Sequence, residues 1–281
     1  MSRLIVNADD FGLTSGVNRA IAELHAAGAV TSATLMARAS AADEAIEMAR
    51  STPTLGVGCH VELVDGAPVL PPDRIPSLVD SRTGQFHNTL SAFLPRLLTG
   101  RIDPTEIEAE AAAQIALLQN RGVELTHIDT HKHTHMFPAV LRAVLRAARA
   151  AGIRRIRNPF EPAWASHAAA RASLMRIAEI AVLRRLRPVC LRIIDDAGFA
   201  TTDGTIAMAA TGVLDASTLT SLIGRLAPGT WELVTHPGYN DAELDRVRTR
   251  LRASRDRERE ALAALKRFPA VQLISFRELE L

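Results

Sequence analysis

The sequence predicts an α/β protein built as a single (β/α) TIM-like barrel, closed or nearly closed and distorted to about seven strands. Three observations carry this. Short β-branched runs alternate with longer Ala/Leu/Arg-rich stretches of helical period, the pattern of a parallel sheet clothed in helices. The strand–helix units follow one another through 281 residues without a low-complexity linker or a repeat, so residues 1–281 read as one domain. Titratable residues gather where at least four strands end, as a barrel mouth requires. An open doubly wound sheet is the alternative.

Taken in order, Leu4-Ile5-Val6 is the first strand, ending in Asn7-Ala8-Asp9-Asp10-Phe11-Gly12. A helix runs from Ser15, its expected N-cap, to Ala27, and Gly28 stops it. Residues 30–37 read as strand, 41–50 as helix and 55–63 as strand. Residues 64–100, dense in Pro and Gly in their first half, form a long excursion of functional-loop character. The helix over 104–119 takes Asp103 as N-cap and Pro104 at its first position. There follow strand 123–131, helix 138–150, strand 153–157 and a basic helical segment at about 164–192. Helix 216–226, strand 231–235, helix 242–267 and strand 270–274 complete the chain.

Composition narrows the function classes. Hydrophobic residues make up 47% and charged residues 23%, enough for a sizeable core. Aromatics are 4% and the net charge is +2, which argues against a nucleic-acid partner. Cys59 and Cys190 are too few for a disulfide framework and fit a reducing, cytoplasmic compartment. No apolar run reaches the roughly 18 residues of a membrane span. Asp9 and Asp10 fall where a signal peptide would need its apolar stretch, so none is expected.

Four of nine histidines lie in His127-Ile128-Asp129-Thr130-His131-Lys132-His133-Thr134-His135. On a strand, His127, Asp129 and His131 share one face at period two, with His133 and His135 continuing along it or curling over the mouth. Imidazoles and a carboxylate aimed at one cavity make a metal site or an acid–base cluster. Asp9-Asp10 sits at the end of the first strand, where Gly12 supplies a turn. One carboxylate can then ligate a cation while its neighbour acts as a base; capping of the next helix is the bland reading. His60 ends the third strand, as ligand or as packed core residue, and Cys59 faces the other way as a structural thiol. His236 ends the strand beginning at Trp231, and Pro237-Gly238 turns it toward the mouth. Together Asp10, His60 and one histidine of the cluster form an open divalent site that acidifies water. Asp9 is then the base and His236 the acid for hydrolysis of an amide or ester. No Gly-rich phosphate loop or Gly-x-Ser-x-Gly elbow is present.

The sequence resembles the YdjC-like carbohydrate deacetylase family. The marks are Asn7-Ala8-Asp9-Asp10-Phe11-Gly12, Gly58-x-His60-x-x-Leu63, His127-x-Asp129-x-His131-x-His133-x-His135-Met136-Phe137-Pro138 and Thr235-His236-Pro237. The resemblance implies a (β/α) barrel that binds one divalent cation and removes acetyl groups from N-acetylated amino sugars. It implies Asp10, His60 and His131 as metal ligands, Asp9 as base and His236 as acid. His127, Asp129 and His133 then support ligands or contact substrate, and the assignment among the cluster histidines turns on strand register. The resemblance implies Mg²⁺, whereas the ligand types suit Zn²⁺. Barrels of this kind are commonly homodimers. Ile153-Arg154-Arg155-Ile156-Arg157-Asn158-Pro159-Phe160-Glu161-Pro162 is most similar to the hopanoid-biosynthesis-associated branch, which implies an N-acetylglucosaminyl lipid as substrate. Arg157 there is either a grip on a sugar or acyl oxygen or a surface arginine.

Other readings are another barrel metallohydrolase, an amidohydrolase or phosphoesterase with two metals and His133/His135 as a second site, and a catalytically silent sugar-binding protein. Residues 166–192 hold six arginines, Arg171, Arg176, Arg184, Arg185, Arg187 and Arg192, against Glu179. The favoured reading is a barrel helix with its apolar stripe buried and its arginines solvated. The other is a helix docking peripherally on an anionic inner-membrane surface.

Overall fold

The computed structural model describes residues 2–169, 172–264 and 271–281. Seven parallel strands form one curled sheet, a half-barrel: β1 (Ser2–Phe11), β2 (Ser32–Leu35), β3 (Gly56–Val61), β4 (His127–Thr130), β5 (Gly204–Ile206), β6 (Gly229–Thr235) and β7 (Val271–Leu273). The order is β4-β3-β2-β1-β6-β5, with β7 pairing the first residues of β1. Single bridges, Ile128 to Ile156 and Arg155 to Ala200, extend the curl beyond β4.

Two expectations about strands shift. Residues 153–157 make only those bridges, although they read as a strand. Residues 204–206 form β5, which three residues beginning with glycine are too few to announce by period. The strands read at 30–37 and 123–131 shorten to β2 and β4, so His131 leaves its strand and opens a 3₁₀ segment over His131–Met136. Thr14, not Ser15, caps the first helix: its side chain accepts the Val17 N–H, and the helix spans Ser15–Ala26. The Asp103 cap and Pro104 start hold as read, for helix Pro104–Asn120. The basic segment breaks into helices Ala163–Ala168, Leu174–Leu183 and Arg187–Asp196; Arg171 lies outside the described residues. Helix 242–267 resolves into a 3₁₀ turn, Leu244–Arg246, and helix Arg252–Ala264; residues 265–267, and Ala270 of the last strand, lie outside the described residues.

Period two sorts the sheet into two faces. Leu4, Val6 and Ala8 of β1, Val57, Cys59 and Val61 of β3, and Leu233 of β6 belong to the main apolar core under the helices. The concave face carries the other set. At its base Ile5 packs with Ile274, Phe276 and Leu279. Beside and above that plug the concave face is mostly polar up to the C-terminal strand ends, with Asn7, Asp9, His60, His127, Asp129 and Glu232 all buried and Val234 an apolar exception. Buried charge at this density needs partners, because an unpaired ion in a low-dielectric interior is costly. Among the described residues no helix is long and apolar enough to cross a membrane.

Candidate active site

The two aspartates at the end of β1 are splayed by the backbone. The β1–β2 register shifts between Ala8 and Phe11, and Asp10 adopts φ 64°. Gly12 follows at φ 96°, so the turn expected from glycine begins two residues earlier. Left-handed backbone at a non-glycine residue stores strain, and aspartate tolerates it better than most. Lys132 and His133 share the feature, at φ 55° and 53°, where the chain curls out of β4. Positive φ thus marks Asp10 itself and the turn that carries the chain from His131 to His133.

Arg157 sits at its centre, fully buried. Its Nη1 and Nη2 donate to Oδ2 and Oδ1 of Asp9 at 2.9 and 2.6 Å, and its Nε donates to Glu232 at 2.7 Å. Nη1 also lies 2.5 Å from Asp129 Oδ2. One guanidinium thus serves three carboxylates, and the surface reading of Arg157 does not hold. Asn7 Nδ2 and Thr34 Oγ1 add further donors to Asp9 Oδ1, at 2.9 and 3.3 Å. Burial by itself would raise the Asp9 pKa, but Arg157 outweighs it, with help from His60 and His236. The carboxyl is held well below the usual range. Glu232 shares the same arginine from a less favoured position, and burial pushes it up to about 7.

A second group gathers on the other aspartate. Asp10 Oδ1 lies 3.6 Å from His60 Nε2 and 3.4 Å from His131 Nδ1, and those two nitrogens are 3.2 Å apart. The far side of His60 is committed, since Nδ1 lies 2.7 Å from Asp129 Oδ1. That bond fixes the ring and turns Nε2 inward, the support a metal-bound imidazole ordinarily has. Bonds of about 2.0–2.2 Å at tetrahedral angles place neighbouring ligand atoms about 3.3–3.6 Å apart, so the triangle fits one divalent cation. A second group, Asp9, His60 and Asp129, also comes within 4.8 Å. It does not fit a cation, because Arg157 already occupies Asp9 and Asp129. Burial lowers the pKa of His131, which favours the neutral, ligating form.

His236 follows β6, as its position before Pro237 predicts. Its Nε2 is 3.9 Å from Asp9 Oδ2, and its Nδ1 is 3.8 Å from Glu258 Oε2, which also accepts the His236 backbone N–H at 2.6 Å. Burial opposes the charged imidazole, yet Glu258 prevails and the pKa is raised, with Asp9 and Asp10 contributing. Arg255, one helical turn before Glu258, pairs with Asp10 Oδ2 at 2.5 Å. Helix Arg252–Ala264 therefore braces both the candidate ligand and the candidate acid.

The remaining histidines separate. His127 lies deeper, stacked on Phe276 at 3.8 Å, and burial pushes its pKa down to about 3. His135 is held by Thr130 at 2.7 Å. His133 is half-buried, with Nδ1 lacking a protein partner. Neither His133 nor His135 belongs to a ligand-competent group among the described residues. Arg255, Glu232 and Glu258 were not singled out from sequence. Glu232 had a signal, a charge midway along an apolar strand, whereas Arg255 and Glu258 are two of many charges in Arg252-Ala253-Ser254-Arg255-Asp256-Arg257-Glu258-Arg259-Glu260.

Fold and site together define a class: an α/β half-barrel protein with a buried carboxylate–imidazole centre shaped for one cation. The chain belongs to the YdjC-like protein family, which it matches over residues 3–267. It is 31% identical over 262 residues to a carbohydrate deacetylase of Thermoanaerobacter pseudethanolicus, covering 93% of this chain and 91% of that protein. A carbohydrate deacetylase of Brevibacillus brevis is 44% identical over 142 residues, a segment that spans 52% of that relative. Among solved structures, a provisionally named cellobiose-phosphate cleavage protein of Enterococcus faecalis superposes with a TM-score of 0.77 at 27% identity, over 100% of this chain and 99% of that one. A lactam utilization protein of Thermus thermophilus, at TM-score 0.53 and 14% identity over 97% and 99% of the chains, shares the fold.

Proposed function

We propose that the protein is a metal-dependent hydrolase that removes the acetyl group from an N-acetylated amino sugar. The observation that supports this most is the placement of Asp9 and His236, 3.9 Å apart, beside the Asp10/His60/His131 triangle. When bound there, a divalent cation supplies the acidity that lets a weak base deprotonate water and polarises the acetamide carbonyl. Asp9 is such a base: Arg157 keeps it ionised and fixes its oxygens. His236, kept protonated by Glu258, donates its proton to the amine nitrogen as the carbon–nitrogen bond breaks. The products are acetate and the free amino sugar. His133 and Asp129 complete the site, one toward substrate and one behind His60.

The finer substrate we propose is the N-acetylglucosaminyl group of a hopanoid lipid, supported by the segment Ile153–Pro162, and we place the reaction in the cytoplasm, where the buried free thiols of Cys59 and Cys190 persist. The single bridges beyond β4 favour a closed barrel over an open sheet. The two imidazoles of the donor set suit Zn²⁺ and the family resemblance favours Mg²⁺, and metal analysis of the purified protein decides between them. The test of function is acetate release from N-acetylglucosaminyl bacteriohopanetetrol beside diacetylchitobiose, with and without chelator. Chelator-sensitive release from the lipid establishes both reaction and substrate. Release from the soluble sugar alone keeps the reaction and discards the lipid. Release from neither by metal-loaded protein overturns the proposal.

A further inference from the structure

After Asn158 the described chain leaves the sheet beside Arg157. Its first turn is stapled to the loop after β5, because Glu161 Oε2 accepts from Ser166 Oγ at 2.8 Å and from the Ala209 N–H at 3.1 Å. Helix Arg187–Asp196 then packs as a barrel helix, with Cys190, Ile193 and Ile194 buried. Helix Leu174–Leu183 does not: Ile180 alone is buried. The expected covered stripe is present in Ile180, with Leu183 and Leu186 packed against the core, but further apolar residues lie outside it. Leu174 is 85%, Met175 74% and Val182 60% exposed, and Val189 on the next helix is 48% exposed. Leu174, Ala178 and Val182 follow at intervals of four, so they form one outward stripe with Met175 at its flank. Four of the six large hydrophobic residues exposed among the described residues fall in this one stretch. Arg176, Arg184, Arg185, Arg187 and Arg192 belong to the same stretch of chain, with Glu179 paired to Arg176 at 3.6 Å.

We propose that this face seats on an anionic lipid surface, laying Leu174, Met175 and Val182 into the acyl boundary and the arginines of the same stretch among the headgroups. The proposal deepens the deacetylase reading by placing its substrate in the membrane, but binding is measurable without turnover. Charge complementarity selects the occupant. An exposed aliphatic stripe in a stretch rich in arginine is the pattern of an interfacial helix. A second copy docked by two-fold symmetry would instead set the same arginines against one another.

The test is cosedimentation of the full chain with vesicles of phosphatidylcholine alone or mixed with phosphatidylglycerol, at low and high salt. Binding is expected only to the mixed vesicles and is expected to weaken at high salt. The Arg184→Gln/Arg185→Gln variant is expected to bind about tenfold or more weakly, and Leu174→Asp/Val182→Asp to lose binding, both with unchanged acetate release from diacetylchitobiose. Failure of the unaltered chain to pellet with mixed vesicles at low salt overturns the proposal. So does a dimer, seen by light scattering without vesicle binding, that Leu174→Asp/Val182→Asp converts to monomer, since the face then belongs to a second copy. Vesicle binding by the unaltered, metal-loaded chain without acetate release from either substrate would sink the deacetylase reading instead.

Discussion

Arg157 grips Asp9 through two hydrogen bonds, at 2.6 and 2.9 Å, and is fully buried while doing so. Such a fork fixes both the charge and the orientation of a carboxylate. The same guanidinium neutralises Asp129 and Glu232. Arg157→Ala strands three buried carboxylates and is expected to destabilise the fold by about 3–5 kcal/mol, read as a large drop in melting temperature. Arg157→Lys keeps the charge but loses the fork, and is expected to recover part of the stability and little of the turnover.

Asp9→Asn separates base from ligand. The amide keeps the shape, and Asp10, His60 and His131 are untouched, so the metal content is expected to stay near that of the unaltered protein. Turnover is expected to fall by about 10²–10⁴-fold, the span of general base catalysis. A near-normal rate would exclude Asp9 as base, and a silent sugar-binding protein would show no turnover to lose.

Metal stoichiometry distinguishes one site from two. Elemental analysis is expected to give one divalent ion per chain, lost in His60→Ala and on chelation. Two ions per chain would restore the two-metal hydrolase, with His133 and His135 as the second site.

Glu258 is expected to set the alkaline limb of the pH profile through His236. His236 has a raised pKa in the fold, so its protonated form, and the stability that form brings, is present at low pH and is lost as pH rises through the folded value. Activity that needs the imidazolium falls over the same range. Glu258→Gln removes the anion responsible while retaining an acceptor for the His236 N–H. The alkaline limb of kcat/KM is then expected to move to lower pH, with the acidic limb unmoved. An unshifted alkaline limb would remove His236 from the role of acid.

Much of this site was legible because a strand end puts a residue at the mouth whatever the details of packing. Asp9, Asp10, His60 and His236 needed only strand assignment, and the four meet. Arg157 was visible as a residue but not as a hub, because its partners come from β1, β4 and β6, between 28 and 148 positions away in the chain. Arg255 and Glu258 were invisible for another reason: the buried members of a charged helix look like its solvated ones until tertiary packing chooses a face. β5 formed where no strand was read, and residues 153–157 reduced to bridges at Arg155 and Ile156, because pairings this short are set by neighbours, not by local propensity.

Gly58 reports on the deepest histidine. A methyl group at that position would sit 2.6 Å from Cε1 and Nε2 of His127. That ring cannot swing away easily: Phe276 stacks on it at 3.8 Å with an 11° interplanar angle, and Thr126 bonds its Nδ1 at 2.8 Å. Gly58→Ala is therefore expected to destabilise the protein by about 1–3 kcal/mol, the usual effect of overpacking, measured by denaturant unfolding. His127→Phe, with its neutral ring kept on Phe276, is expected to leave the metal content unchanged. That pair of outcomes makes His127 a packing residue beneath the site. Loss of the ion in His127→Phe would move the ligand set down the strand and displace His131 from it.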